Sequence, residues 1–217
     1  MPAPKSRPSI KAPRLPKTLP PAELPRDFPA DGETCSRLEY QHLDLTEQTI
    51  ARLHFEEVIF TQLNATGSQL PYLRAEDVRF AGGNLANAVL PNASFARVEF
   101  IGCRLTGFTT LEAVFLDTIF RDCKVDLAQF YQAKMRGVRF EDCPLNGSDF
   151  RQTNLTGAVF VRCDLTNADF RGATLAEADL RGCTIDGVHA GPDELRGATI
   201  DEVQALALVR GMGITIA

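Results

Sequence analysis

The stretch that decides the fold is residues 161–180, which read VRCDLTNADFRGATLAEADL. Within it, Ala168-Asp169-Phe170 and Ala178-Asp179-Leu180 follow one rule: a small residue, a polar residue, a large apolar residue and then two variable residues. Outward from this stretch, nearly every fifth residue from Leu45 to Ile200 is Leu, Ile, Val, Met or Phe. The exceptions are Ala65, Ala75, Thr110 and Ala190. Neither a helical period of 3.6 residues nor strict alternation produces this spacing. A sharp corner of the chain every five residues does.

A second period, four times as long, is superimposed on the first. Five of the six cysteines and six of the 14 phenylalanines keep it. These residues are Cys103, Cys123, Cys143, Cys163 and Cys183, and Phe60, Phe80, Phe100, Phe120, Phe140 and Phe160. A chain that repeats at 5 and at 20 returns to the same place after four short steps, so the sequence predicts a four-sided all-β solenoid over residues 41–200. About eight coils stacked about 4.8 Å apart make a rod about 38 Å long.

The five-residue rule also predicts where side chains point. The large residue and the small residue two positions before it face inward, and the other three face solvent. Identical side chains then stack from coil to coil, which predicts a buried phenylalanine column and a buried cysteine column. Glycine two positions after the large residue, as at Gly107 and Gly157, suits the corner because it tolerates strained backbone angles.

The cysteine column invites a metal or redox interpretation, which we weigh against a structural one. Zinc sites need four ligands that converge on a point, usually with local spacings such as CxxC, whereas these cysteines form a line. We therefore predict buried structural cysteines, with metal or disulfide chemistry as the alternative. The three histidines, His42, His54 and His189, share no column. We predict no catalytic residue, no metal site and no cofactor.

Residues 1–40 differ from the repeats. Residues 1–30 contain nine prolines, and five basic residues precede the first acidic one, Glu23. Because proline removes backbone donors and disfavours helix before it, residues 1–40 are predicted to be a proline-rich basic leader that is extended or disordered. The alternative is a basic arm that contacts a nucleic acid or an acidic partner.

Composition predicts the compartment and excludes some partners. No run of 18 apolar residues is present, which predicts no membrane association through a helix. The N-terminus lacks the apolar stretch of a secretory signal, and cysteines at core positions favour a reducing environment, so we expect a cytoplasmic protein. Residues 41–217 carry a net charge of −7, which argues against direct nucleic-acid binding by the repeats.

The pattern changes after Ile200. Thr199–Glu202 has the form of a helix capping box, and a short apolar helix over 203–210 is predicted to follow and to end at Gly211. The last residues, 212–217, read as a short apolar strand. Residues 201–217 are predicted to cap the last coil and to provide a dimer contact. The contact residues are Val203, Leu206, Leu208, Val209, Met212, Ile214 and Ile216.

Outward residues sort into four faces, and the face that carries the cysteine column is the most acidic. Its charges are five acids against two bases, a net charge of −3. These residues are Asp44, Glu47, Asp126, Asp164 and Asp186, opposed by Arg104 and Lys124. The acidic residues are the candidate partner-binding site.

The A(D/N)(L/F)xx register, as in Ala168-Asp169-Phe170-Arg171-Gly172, resembles the pentapeptide-repeat family, and the resemblance covers residues 41–200. It implies a right-handed quadrilateral β-helix. Residues 200–214 resemble the ending of the Qnr-type quinolone-resistance proteins and MfpA, in which a helix and an apolar strand mediate two-fold, end-to-end dimerisation.

That resemblance implies a function. A homodimeric rod of this type mimics duplex DNA, binds DNA gyrase or topoisomerase IV, and protects the enzyme from poisons or inhibits it as they do, which gives antibiotic resistance or self-immunity. The register has no insertion, so the chain resembles the loop-free MfpA more than Qnr proteins with projecting loops. The alternative function is a pentapeptide-repeat scaffold that mediates other protein–protein interactions.

Overall fold

The computed structural model describes residues 10–24, 26–211 and 213–215. Within them lie nine strands, each paired in parallel with the strand one coil away, and one helix. The elements are β1 (Thr34–Ser36), β2 (Glu39–Gln41), β3 (His54–Glu56), β4 (Ile59–Thr61), β5 (Arg74–Ala81), β6 (Ser94–Ile101), β7 (Val114–Arg121), β8 (Lys134–Glu141), β9 (Val159–Val161) and α1 (Glu202–Gly211). Isolated bridges extend the same register to Asp179 and Thr199. The predicted β-solenoid is confirmed.

Corners recur at every fifth residue. Each such residue from Gly32 to Gly187 has a positive φ, between 51° and 75°. Of the residues with positive φ, 21 are not glycine, and none of these is β-branched, as expected because Val, Ile and Thr are the residues least able to adopt this conformation. Each coil therefore has four sides. We number the faces by their outward positions, which recur once in every coil: positions 44 and 46 (first), 49 and 51 (second), 54 and 56 (third), 59 and 61 (fourth).

The predicted inward columns form the core. Rings of the phenylalanine column from Phe60 to Phe160 stack with centroids 4.7–5.2 Å apart and planes within 9° of parallel. Tyr40 extends this column, with its ring 5.2 Å from that of Phe60. Offset stacks of this kind contribute beyond the area they bury.

The cysteine column is also confirmed, because all five members are buried and stack from one coil to the next. The Sγ atoms of Cys103, Cys123, Cys143 and Cys163 lie 3.3–3.5 Å from the carbonyl oxygens of the phenylalanines 23 residues earlier. Each thiol is thus a small hydrophobe with a weak donor. All six cysteines are free, and Cys35 is buried at the N-terminal end of the core.

The described part of the leader is extended and attached to the rod, so disorder is the wrong description for residues 10–24. Pro21 forms a parallel bridge with Glu39, which adds a partial rung below β2. Upstream of it the chain folds back along the rod, and the amide of Arg14 donates a hydrogen bond to Asp77 Oδ1 at 2.8 Å. Residues 1–9 lie outside the described residues.

The C-terminal helix forms as predicted, but with different caps. Asp201, not Thr199, is the N-cap: its Oδ1 accepts from the Gln204 amide at 3.0 Å, and Gln204 Oε1 accepts from the Asp201 amide at 2.9 Å. Thr199 is still bridged within the solenoid to Asp179. The left-handed residue at the helix end is Gly213, with φ of 76°, and not Gly211, which belongs to the helix.

The predicted terminal strand is wrong for the part that is described, because Gly213–Thr215 form a turn and coil. Met212, Ile216 and Ala217 lie outside the described residues.

Candidate functional site

The first face carries the predicted acidic residues. Asp44, Glu47, Asp164 and Asp186 are exposed, and Asp126 is half-buried. Parallel bridges link residues 44, 64, 84, 104 and 124 and then residues 144, 164 and 184, so each column runs along the rod. Six rungs separate Asp44 from Asp164, or about 29 Å at the spacing of neighbouring strands.

Two of these carboxylates are fixed by a threonine two residues later. The amide and hydroxyl of Thr46 donate to Asp44 Oδ1 at 2.9 and 2.5 Å. Thr166 does the same to Asp164 at 3.0 and 2.6 Å. Such Asx turns follow from an aspartate side chain that reaches its own backbone two residues on. The hydrogen bonds from Thr46 hold the pKa of Asp44 below its ordinary value, so this carboxylate is charged at neutral pH.

The two threonines hold candidate-site carboxylates in place, and the sequence analysis did not single them out. Their signal is visible in the sequence, since Asp44-Leu-Thr46 and Asp164-Leu-Thr166 occupy equivalent places in their coils. The spacing of two residues between aspartate and threonine is that of an Asx turn.

Several carboxylates on the fourth and second faces pair with arginine. On the fourth face, ion pairs join successive rungs, with Arg79 Nε 2.9 Å from Glu99 Oε2 and Arg121 Nε 2.6 Å from Glu141 Oε2. On the second face, arginines pair within a rung or with the next, and the pairs are Arg151–Asp149, Arg151–Asp169 and Arg171–Asp169. Among the described residues, no acid of the first face lies within ion-pair distance of a base. We call this first face the acidic face.

The charge density of the acidic face is low compared with that of a nucleic acid. Its net charge of −3 spans about 34 Å from Asp44 to Asp186. Duplex DNA carries about 20 negative charges over that length. Any likeness to DNA therefore rests on the width of the rod and on a few positioned charges.

The C-terminal end combines a buried anchor with exposed apolar side chains. Gln204 is buried, and its Nε2 donates to the carbonyl oxygens of Leu180 and Cys183 at 2.6 and 2.7 Å, which ties α1 to the last coil. Ala207 and Leu208 pack against the core.

Three predicted contact residues point away from the core instead. Val203 is 76% exposed, Leu206 44% and Ile214 54%. Val209 is half-buried, and the predicted contacts Met212 and Ile216 lie outside the described residues. The helix thus caps the rod and presents an apolar surface beyond it.

A compact cluster at the corner between the third and fourth faces was not predicted. Arg97 donates to both oxygens of Asp77 at 2.7 Å and to Glu76 at 2.5 Å, while Arg14 donates to Asp77 through its amide. Burial works to raise the pKa of Asp77, but these hydrogen bonds outweigh it and hold the pKa below the ordinary value. This cluster fastens the leader.

Within the described residues, no three His, Cys, Asp or Glu side chains converge as metal ligands. No described helix has the length and apolar character needed to span a membrane.

Two family models match the repeats. One, described as a pentapeptide repeat region, matches residues 93–160, and the other, described as pentapeptide repeats in eight copies, matches residues 76–109 and 148–187. Together they cover 76–187, slightly more than half of the 217 residues. A search of curated proteins found no match.

Several solved structures are similar to this chain. Full-length QnrB1, a plasmid-mediated fluoroquinolone resistance protein, is 16% identical, with a TM-score of 0.37, and the match covers 84% of this chain and 100% of that one. HetL, a pentapeptide repeat protein involved in regulating heterocyst differentiation in the cyanobacterium Nostoc, is 17% identical, with a TM-score of 0.29 and coverages of 82% and 92%. A pentapeptide repeat protein from the thylakoid lumen of Arabidopsis thaliana is 18% identical, with a TM-score of 0.25 and coverages of 72% and 86%. The family models and the register of the coils agree, and the chain belongs to the pentapeptide-repeat family.

Proposed function

We propose that this protein is a DNA mimic that binds DNA gyrase or topoisomerase IV in place of duplex DNA. Bound there, it protects the enzyme from topoisomerase poisons or inhibits it as they do, which would give antibiotic resistance or self-immunity. The observation that carries the proposal is the acidic face, whose five carboxylates are spread along the rod and lie beyond ion-pair distance of the described bases. The resemblance of residues 200–214 to the ending of Qnr-type proteins supports it.

A dimer would make the mimic long enough to cross a DNA-binding surface. The apolar side chains of Val203, Leu206 and Ile214 extend beyond the last coil and would pair across a two-fold axis. Two rods joined end to end would span about 76 Å at the spacing of stacked strands.

The low charge density sets an expectation for how binding depends on salt. Few charges are screened when salt is added, so affinity for the enzyme should fall less steeply with ionic strength than the affinity of DNA does. The rest of the binding free energy would come from the shape of the rod and from contacts at fixed positions such as Asp44 and Asp164.

A supercoiling assay with purified gyrase tests the proposal. The protein at micromolar concentration should reduce supercoiling or rescue the enzyme from a poison. Asp44→Asn with Asp164→Asn removes two charges but keeps an oxygen to accept from each threonine, and we expect this variant to lose about tenfold or more in potency, as for charged groups at an interface. Asp149→Asn with Asp169→Asn, which also removes two charges but on the second face, is the matched control and should keep the potency.

The dimer is tested separately with Leu206→Arg. A charged side chain at the apolar end should give monomers in size-exclusion chromatography without changing the circular dichroism spectrum, while Leu127→Arg, an exposed mid-rod control, should elute as the wild type does. An unchanged elution volume for Leu206→Arg would show that α1 only caps the rod.

The alternative is a scaffold that recruits another protein. The exposed apolar residues at the C-terminal end would serve such a role equally well. If the dimer at micromolar concentration neither inhibits supercoiling nor rescues the enzyme from a poison, that result would favour the scaffold.

A further inference from the structure

The third face changes in side-chain size from rung to rung. Ser94 and Ala96 of β6 are small, and together with Arg74 and Glu76 on the rung before they line a depression of about 410 Å³. On the next rung, Val114 and Leu116 of β7 project outward with 42% and 37% of their surface exposed. A depression and an apolar ridge therefore lie side by side in the middle of the face.

The charges on this face are also arranged along the rod. Glu76 lines the depression on the rung before Ser94 and Ala96, and Lys134 and Arg136 lie on the rung after the ridge. Within the described residues, neither Lys134 nor Arg136 lies within ion-pair distance of an acid. Glu76 contacts Arg97 through Oε1, and about half of its side chain stays exposed. The order of the rungs along the rod is acid, small residues, apolar ridge and base.

When this order is reversed and laid against itself, the acid faces the base and the small residues face the ridge. We propose that the third faces of two copies of this chain pair face to face with their rods antiparallel. The two-fold axis would run along the strand direction, between the rung of Ser94 and Ala96 and the rung of Val114 and Leu116. Under that rotation each rung meets the rung at the same distance on the other side of the axis.

The contacts follow from the register of β5 to β8. Ser94 meets Val114 of the second copy, and Ala96 meets Leu116, so each ridge packs against the small residues that form one side of the opposite depression. One rung further out, Glu76 meets Arg136 of the second copy, and this ion pair forms twice because the interface is isologous. Glu76 Oε2 is the oxygen that its contact with Arg97 leaves for this pair.

One contact opposes the pairing. Arg74 meets Lys134 of the second copy, and both are basic. Their long side chains can keep the charged groups in water while the stems remain at the interface, which limits the repulsion. On each side of the axis, the pairing is then stabilised by one ion pair and by the contact of the ridge with the small residues opposite it.

The size of the face places the association in the weak class. Six rungs of about five residues give a surface about 29 Å by 17 Å, or about 1,000 Å² in total for two copies. Interfaces at this end of the range are transient. We expect half-association at about 100 μM.

A second copy fits better than an unrelated partner because one face supplies both halves of the match. Another protein would need the same alternation of large and small residues and the same order of charges. This pairing is independent of the proposed function and of the C-terminal contact, which lies at the end of the rod.

Sedimentation velocity of the full chain at rising concentration tests the proposal. Leu206→Arg removes the C-terminal contact, and in that background the protein should still form dimers near about 100 μM. Adding Arg136→Glu should weaken this association at least tenfold, since it places two acids opposite each other. Adding Glu76→Lys to Arg136→Glu should restore it by reversing the pair.

Lys124→Glu, which changes the net charge by the same amount on the opposite face, is the control and should have no effect. Ala96→Arg fills the depression without touching the ion pair and should abolish association, so the test does not depend on the folding of the Glu76 variant. Monomers at every concentration in the Leu206→Arg background would overturn the proposal. So would equal weakening by Lys124→Glu, or no rescue by a folded charge-reversed variant.

Discussion

Inward and outward residues of the same coils follow different rules. Phenylalanine recurs from Phe60 to Phe160 in one inward column, and cysteine from Cys103 to Cys183 in another. The outward column that begins at Asp44 instead continues with Asn64, Asn84, Arg104 and Lys124. Stacking therefore demands similar side chains only where they touch without solvent. The surface is free to vary from coil to coil.

The largest expected effect comes from placing a negative charge at an inward position, compared with the same charge at an outward position. Phe120→Asp buries an unpaired carboxylate in the middle of the ring column and should prevent folding, because the cost exceeds the few kcal/mol by which proteins are stable. Leu127→Asp adds the same charge at an exposed corner and should change the free energy of unfolding by less than about 0.5 kcal/mol. Circular dichroism melts compare the two. A normal melt for Phe120→Asp would contradict the inward assignment.

Corners are intermediate, because the backbone is constrained there while the side chain is free. Gly102 has φ of 63°, and a Cβ built on it meets nothing within 4 Å. Gly102→Val should destabilise by about 1–2 kcal/mol from backbone strain alone. Gly102→Asn should cost less, because asparagine tolerates this conformation. Equal midpoints in urea for the two variants would show that backbone strain does not govern the corner.

The leader tests a surface contact that the repeats do not require. Arg14→Pro removes the amide that donates to Asp77, and Arg14→Ala keeps it. Because a hydrogen bond to a charged group is worth about 1.5–3 kcal/mol, we expect trypsin to cleave after Lys17 about tenfold faster in the proline variant than in the alanine variant. Cleavage at equal rates would mean that the leader is held by other contacts.

The smallest effect should come from protonating the outward ion pairs. Hydrogen bonds from Arg162 and from Arg171 hold the pKa values of Asp142 and Asp169 below the ordinary value. A carboxylate whose pKa is lowered in the folded state stabilises the fold above its unfolded value of about 3.9, and this contribution is lost as pH falls through the folded value.

Melting temperature should therefore hold from pH 7 to pH 5 and decline below about pH 4. Salt at 1 M and pH 7 should reproduce only part of that decline, since exposed pairs contribute under about 1 kcal/mol each. A melting temperature that rises in acid would show that these pairs do not stabilise the rod.

Most of the fold was predictable because it depends on a period. The columns, the corners and the helix after Ile200 all follow from spacing in the sequence. Tyr40 belonged to the same period, one coil before Phe60, and was missed because the residue type changed. The N-cap is Asp201, two residues after the predicted Thr199, because Thr199 is bridged to Asp179 within the solenoid. No local sequence pattern reveals that bridge.

The candidate site was predictable in composition but not in electrostatics. Position alone assigned Asp44 and Asp164 to one face. Only the structure separates them from Asp149 and Asp169, which are equally acidic in the sequence but lie beside arginines. The arginines that neutralise Asp149 and Asp169 lie two residues later on the same rung, and only the structure shows that their side chains turn toward these carboxylates.

The amino-acid sequence by itself determined the four-sided rod. The repeat buries the same positions in every coil, and the backbone then forms its hydrogen bonds with the coils on either side. The tertiary structure alone decided which surface charges stay unpaired, how the leader is fastened to Asp77, and that the third face places a ridge beside a depression. These features join residues from different coils, or residues 63 positions apart, so their physical cause is proximity in space and not order along the chain.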